Sequence, residues 1–155
     1  MRKDGKKTKV LTLSRVFLRT HPKAGQPTGF EEKYKAGIKK HTMRINLKHW
    51  REVEQKVNAG EMVLCVRQWT GKPYNSKQRE LFTLTRLRVQ EFDIEWWGDA
   101  LGVVRIDGRP LSQQEIEKLA ENDGLSFEDW LAWMCPTHKD IKGGAILHFT
   151  DELKY

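Results

Sequence analysis

Gly37-Ile-Lys-Lys-His-Thr-Met-Arg44 joins a helix to a strand, and the rest of the fold can be built outward from it. Ahead of it, Phe30-Glu-Glu-Lys-Tyr-Lys-Ala-Gly37 carries acidic residues early and lysines late, which suits the helix dipole, and ends on the residue that most readily closes a helix in the left-handed conformation. Behind the glycine, residues 39–46 (KKHTMRIN) read as a strand. If that strand is regular, Lys40, Thr42 and Arg44 share one face, and Lys39 meets Thr42 only where a turn or bulge intervenes. Lys39, Lys40, His41, Thr42 and Arg44 thus gather anion-binding and proton-transfer groups into one short stretch. The plain alternative is a basic strand facing solvent.

Outward from this segment, Leu47, Trp50, Val53 and Val57 fall on one face of a helix closed by Gly60, and residues 61–69 (EMVLCVRQW) form the strongest strand pattern in the chain. Residues 79–92 (RELFTLTRLRVQEF) alternate throughout, as a strand or one long hairpin arm would. Toward the N-terminus, residues 10–17 (VLTLSRVF) suit a strand, and residues 21–29 (HPKAGQPTG) an irregular loop. Toward the C-terminus, residues 91–99 and 103–111 each offer a short strand. A helix follows, with Ser112 as N-cap, Glu115 as its capping-box partner and Gly124 beyond its end. Ser126 and Asp129 repeat the cap ahead of Trp130, Leu131, Trp133 and Met134, and residues 145–149 (AILHF) close the chain as a strand. Five to six mixed strands and three to four short helices predict an α+β fold, a small barrel or a curved sheet.

At 155 residues the chain suits one domain, expected over residues 10–155, with residues 1–9 (MRKDGKKTK) as a flexible basic tail. Its formal charge of +7 is unevenly divided: residues 1–90 hold 22 Lys+Arg against 7 Asp+Glu, a net +15, while residues 91–155 hold 6 against 14, a net −8. A cationic half favours polyanions such as RNA, and an acidic half argues against indiscriminate coating of a phosphate backbone. Cys65 and Cys135 sit singly in apolar runs, as buried free thiols of a reducing compartment do. No apolar run resembles a signal peptide or a membrane span, so a cytoplasmic protein without a membrane partner is expected.

Phosphate-loop, nucleophile-elbow and zinc-protease motifs are absent from the sequence. Cys135 and His138 have a metal-like spacing but no second pair, so no metal and no cofactor is expected. A second constellation runs from Arg67 to Arg79, where Arg67, Lys72 and Lys77 are interleaved with Trp69 and Tyr74. Exposed aromatics stack on unpaired bases while Lys and Arg hold phosphates, so this segment suits the lip of a single-stranded RNA site. The plain alternative places Trp69 in the core and Tyr74 at a hairpin end. His21 lies in the Pro/Gly-rich loop and is a weaker candidate. Trp96, Trp97, Trp130 and Trp133 have acidic neighbours that repel phosphate, so they are expected in the core.

The helix ending in G-x-K-x-x-T-x-R before a strand resembles the ASCH domain, a small β-barrel of the PUA-like group associated with RNA binding. The opening strand and short helix, the strand at 61–69 and the late segment ENDGLSFEDWLAW (residues 121–133) follow the same order, so the resemblance spans roughly residues 10–150. Some small bacterial members remove the acyl group from N4-acetylcytidine with a Lys, a Thr and an acidic residue, and the resemblance carries these roles to Lys39, Thr42 and Asp123. The family has Glu where Asp123 stands, a side chain one methylene longer, and Glu121 is the nearby substitute. Thr42 would be the nucleophile, Lys39 its base, and Asp123 the group that orients the lysine or returns a proton to the leaving amine. The resemblance with the charge pattern points first to a domain binding RNA or a modified nucleoside in a cationic cleft formed by Lys39–Arg44 and Arg67–Arg79. It points second to a metal-independent amidohydrolase. A protein-interaction module using the acidic face around Glu128 and Asp129 is a third class.

Overall fold

The computed structural model describes Arg2 and residues 4–155; Met1 and Lys3 of the expected tail lie outside the described residues. The elements run β1 (Lys7–Thr12), α1 (Phe30–Lys35), β2 (His41–Arg44), α2 (Leu47–Asn58), β3 (Met62–Trp69), β4 (Gln78–Leu84), β5 (Arg88–Trp97), β6 (Ala100–Ile106), β7 (Arg109–Pro110), α3 (Gln113–Asn122), α4 (Phe127–Met134) and β8 (Ile141–His148). This is an α+β fold of eight strands in two sheets, ordered β1-β3-β4 and β2-β8-β5-β6-β7, with four helices. The second sheet is antiparallel throughout, whereas β1 runs parallel to β3. Among the described residues no ladder joins the two sheets, so the strands do not close into a barrel.

Local chemistry explains most boundaries. Ser112 and Glu115 form the reciprocal capping box of α3, and Ser126 Oγ accepts from Asp129 N at the start of α4. Asp107 and Gly108, both at positive φ, supply the tight turn between β6 and β7. The sheet begins earlier than the sequence suggests, because Lys7–Thr12 pairs residue by residue with Met62–Arg67; Lys7 and Lys9, expected in a free tail, are strand residues. The alternation over residues 79–92 belongs to two strands in different sheets. Asn58, at the end of α2, both accepts from Leu87 N at 2.9 Å and donates to Leu87 O at 2.8 Å, and there the chain crosses from β4 to β5. β5 alternates between buried and half-buried residues from Glu91 to Glu95, whereas β4 is half-buried from Leu81 to Leu84 without alternation.

The core is shared by both sheets and the helices, with α2 packed on β3, β5 and β8. Trp130 of α4 is fully buried and its Nε1 donates to Met43 Sδ at 3.3 Å, which pins β2 under α4. β8 starts before the expected residue 145 and runs through Gly143-Gly144. A Cβ on Gly144 would stand 2.4 Å from the Phe92 ring, so Gly144→Ala is expected to cost about 1–3 kcal/mol through overpacking. Urea denaturation checks this; wild-type stability would mean that the ring moves aside freely. No helix among the described residues is long and apolar enough to cross a membrane.

Candidate functional site

Three backbone devices bring Lys39, Thr42 and Asp123 together. Gly37, at φ 74°, ends α1 and turns the chain so that Ile38 N and Lys39 N both donate to Lys33 O. Lys39 therefore precedes β2 and points inward, while Thr42 and Arg44 project from one face of the strand. Asp123 is the C-cap of α3, and Gly124 follows at φ 87°, where a Cβ would press on the Lys39 and Phe30 side chains at 3.3 Å. The last turn of α3 holds no basic residue of its own. Lys39 fills that place, donating from Nζ to Asp123 O at 2.6 Å and to Asp123 Oδ1 at 3.2 Å, with its ammonium 4.1 Å from the centre of the Phe30 ring.

Lys39 is only 2% exposed, and burial lowers its pKa from 10.5 to about 8 although the Asp123 charge pulls the other way. Burial would raise the Asp123 carboxyl, but the Lys39 charge and the nearby His41 outweigh it and hold the group below its usual value. An amine near 8 is mostly charged at neutral pH yet gives up its proton easily, as a general base must. Lys39 and Thr42 do not bond to each other. The Thr42 hydroxyl instead accepts from Arg44 Nη1 at 2.8 Å, and Arg44 is braced by Thr12 O at 2.7 Å. With the guanidinium on its oxygen, the Thr42 hydroxyl directs its own proton away from Arg44.

Lys39, Thr42, Arg44 and Asp123 line one enclosed pocket of about 20 Å³ with Ser14 and Trp133. That is room for one water. The pocket lies beside an open groove of about 370 Å³ that shares Leu13, Ser14, Arg44 and Trp133 with it and is walled on the far side by Trp69, Gly71, Pro73 and Tyr74. Tyr74 is 88% exposed and sits at φ 65°, a conformation unusual outside glycine, with its ring 5.1 Å from that of Trp69. The loop beneath it is tied by Ser76 Oγ, which donates to Lys72 O and accepts from Gly71 N. The groove thus ends in a braced aromatic lip, and its depth leads to a buried cation.

The remaining sequence candidates are dispersed. Lys40 leaves the cleft and pairs with Glu152 at 2.6 Å, because β2 begins only at His41 and Lys40 does not share the face of Thr42 and Arg44. His41 is fully buried behind the pocket, not in it. Arg67 lies against Cys65 Sγ and Gln78 rather than in the groove, since a bulge between Val66 and Arg67 shifts the register with β4. Lys72 and Lys77 stand exposed on the lip without lining the groove. His21 is structural: its Nε2 meets Asp129 O at 3.0 Å, its Nδ1 accepts from Lys23 N, and its ring packs on Phe17. Glu121 is exposed and turned outward, so it does not replace Asp123. Among the described residues no three metal-ligating side chains cluster, and Cys65 and Cys135 are buried free thiols.

Ser14, Arg15 and Trp133 are site residues that the sequence patterns did not single out. Trp133 was expected in the core with its acidic neighbours, yet it is half-buried and borders both cavities. Three residues apart, Trp130 and Trp133 lie on the same side of α4, so no local pattern separates the fully buried Trp130 from Trp133 at the groove. No family model, curated protein or solved structure matches this chain.

Proposed function

We propose that this protein is an ASCH-like domain whose groove binds an unpaired base, in single-stranded RNA or as a modified nucleoside. The observation that carries this is the juxtaposition of the Trp69–Tyr74–Trp133 walls with the half-buried Arg44 and the buried Thr42 and Lys39 at the groove's inner end. Flat apolar walls suit the face of a base, and the polar end offers donors to its exocyclic or acyl oxygen. Arg15 and Arg44 give the groove its positive character, with Lys72 and Lys77 placed outside it where a backbone phosphate would pass. The two sheets, three-stranded and five-stranded, suit the walls of an open PUA-like barrel. Tryptophan fluorescence should report binding of short single-stranded RNA or of N4-acetylcytidine. Trp69→Ala and Tyr74→Ala should each weaken it by about 1–3 kcal/mol, roughly 5- to 150-fold. Reversing Lys72 and Lys77 should reduce the salt dependence for RNA and leave the nucleoside unaffected. Failure of the wild-type protein to bind either ligand sinks the reading.

A second reading is favoured by one further observation, that Lys39, Thr42 and Asp123 line the same pocket. In it the Thr42 hydroxyl attacks the acyl carbonyl of an N4-acylated cytidine while its proton passes through one water to Lys39. Lys39 then protonates the departing amine, and water hydrolyses the threonine ester, so the acylated base and water give the free base and a carboxylate. Arg44 faces the developing oxyanion. Acetate release from N4-acetylcytidine should disappear in Thr42→Ala and Lys39→Ala, and unchanged release in both would remove those residues from the chemistry. The acidic-face module has no comparable support, because Asp129 is already committed to Lys23 at 2.8 Å.

A further inference from the structure

Behind the Lys39–Asp123 pair lies a polar chain that the groove does not use, buried at His41 and Asn122 and half-buried at Tyr155. His41 places Nδ1 3.5 Å from Asp123 Oδ1, too far for a normal hydrogen bond and with no other partner, and its Nε2 lies 2.7 Å from the Tyr155 hydroxyl. Tyr155 in turn accepts from Asn122 Nδ2 at 2.9 Å. A tyrosine hydroxyl has one proton to give, and with Asn122 acting as a donor the remaining acceptor within reach is His41 Nε2. A ring that accepts at Nε2 and stays neutral carries its proton on Nδ1, which faces the carboxylate.

We propose that Tyr155 and His41 form a positioning relay in which the Tyr155 hydroxyl fixes the imidazole tautomer and the Nδ1 proton, facing Asp123 Oδ1 across 3.5 Å, steadies that carboxylate beside Lys39 as a charge–dipole contact rather than a hydrogen bond. The groups that face His41 are Asp123 and Tyr155, which the relay uses, and Lys39, Arg88 and His148, whose positive or potential positive charges oppose protonation of the ring. Burial and those charges keep His41 neutral, so it serves as a donor and does not compete with Lys39 for the carboxylate. The segment bearing Tyr155 is itself anchored, by Lys40 to Glu152 and by the Arg88 guanidinium to Leu153 O. The functional consequence rests on the reading of the Lys39 pocket above, whereas the tautomer does not.

Long-range proton–nitrogen NMR of the labelled 155-residue chain at neutral pH should find His41 protonated on Nδ1. In Tyr155→Phe its Nε2 signal should move to that of an unbonded ring nitrogen. Lys39 should titrate near 8 in wild type, near the same value in His41→Asn, whose amide can still donate from the Nδ1 position, and lower in His41→Leu. A dispersed amide spectrum establishes that each variant is folded. Protonation on Nε2 in wild type, or a Lys39 titration unchanged in folded His41→Leu, overturns the relay. Failure of wild type to bind RNA or nucleoside would instead refute the groove's function while the NMR result stood.

Discussion

Asp123→Ala is expected to destabilise the protein by about 3–5 kcal/mol, the cost of leaving a buried charge without its partner. Both side chains lie deep, Lys39 at 2% and Asp123 at 5% exposure, so solvent cannot take over from the lost carboxylate. The main-chain oxygen of residue 123 still accepts from Nζ, which limits the loss but leaves the charge uncompensated. The pH dependence carries a definite sign. Lys39 titrates near 8 when folded and near 10.5 when unfolded, so between those values the unfolded chain binds more protons, and stability rises with pH across that window. In Asp123→Ala the folded lysine loses the charge that raised its pKa, and the window widens toward lower pH. Urea denaturation of the variant should therefore show a defect that shrinks on going from pH 7 to pH 10. A defect constant with pH would mean that the loss arises from packing or from the α3 cap.

The double variant Lys39→Met/Asp123→Ala separates structure from function. Apolar side chains that replace a buried ion pair are often neutral or stabilising, so the double variant should recover most of the stability lost by Asp123→Ala. Ligand binding in the groove, measured on the same protein, should not recover. A pair that the fold does without, but the ligand does not, is retained for its chemistry.

The cap signals explain why so much of this site is legible in the sequence. Gly37, Ser112, Glu115 and Gly124 are read locally, each by the torsion or hydrogen bond that its own position demands, and together they determine where Lys39 and Asp123 enter the interior. Inward or outward direction beyond those caps depends on partners far along the chain. Lys40 meets Glu152 outside the cleft and His41 meets Tyr155 behind it, and neither partner carries a signal in residues 37–44. The long alternation of residues 79–92 conceals a change of sheet because Asn58, a residue of another element, decides where it breaks. The division of charge likewise gained meaning only in three dimensions. The basic half supplies Lys39, Arg44 and the lip, and the acidic half supplies Asp123 as their buried counter-ion.

Acidification from pH 6.5 toward pH 3 should destabilise the protein steeply, with the loss beginning well above the range in which the bulk of its carboxylates are protonated. His148 is buried, with Nε2 2.8 Å from Gln90 Oε1, and Gln90 Nε2 donates in turn to Asp107 Oδ2, so the ring's proton sits on Nε2. Its Nδ1 is buried with no partner, and a second proton there would be a charge without an acceptor. Burial, reinforced by His41 and Arg88 nearby, lowers its pKa from 6.5 to about 3. Unfolding exposes the ring and restores its ordinary pKa, so between 3 and 6.5 the unfolded state holds more protons and stability falls as pH falls, by on the order of 5 kcal/mol over the full window. His41, also held low by burial, adds in the same direction. Asp123 joins at the acid end, because its contribution is present above 3.8 and is lost as pH drops through its lower folded value. His148→Leu should be less stable than wild type at pH 7 through its lost bond to Gln90, yet should lose distinctly less between pH 6.5 and pH 4, and the two curves should converge. Parallel curves from urea denaturation across that range would show that the acid sensitivity lies elsewhere than in His148.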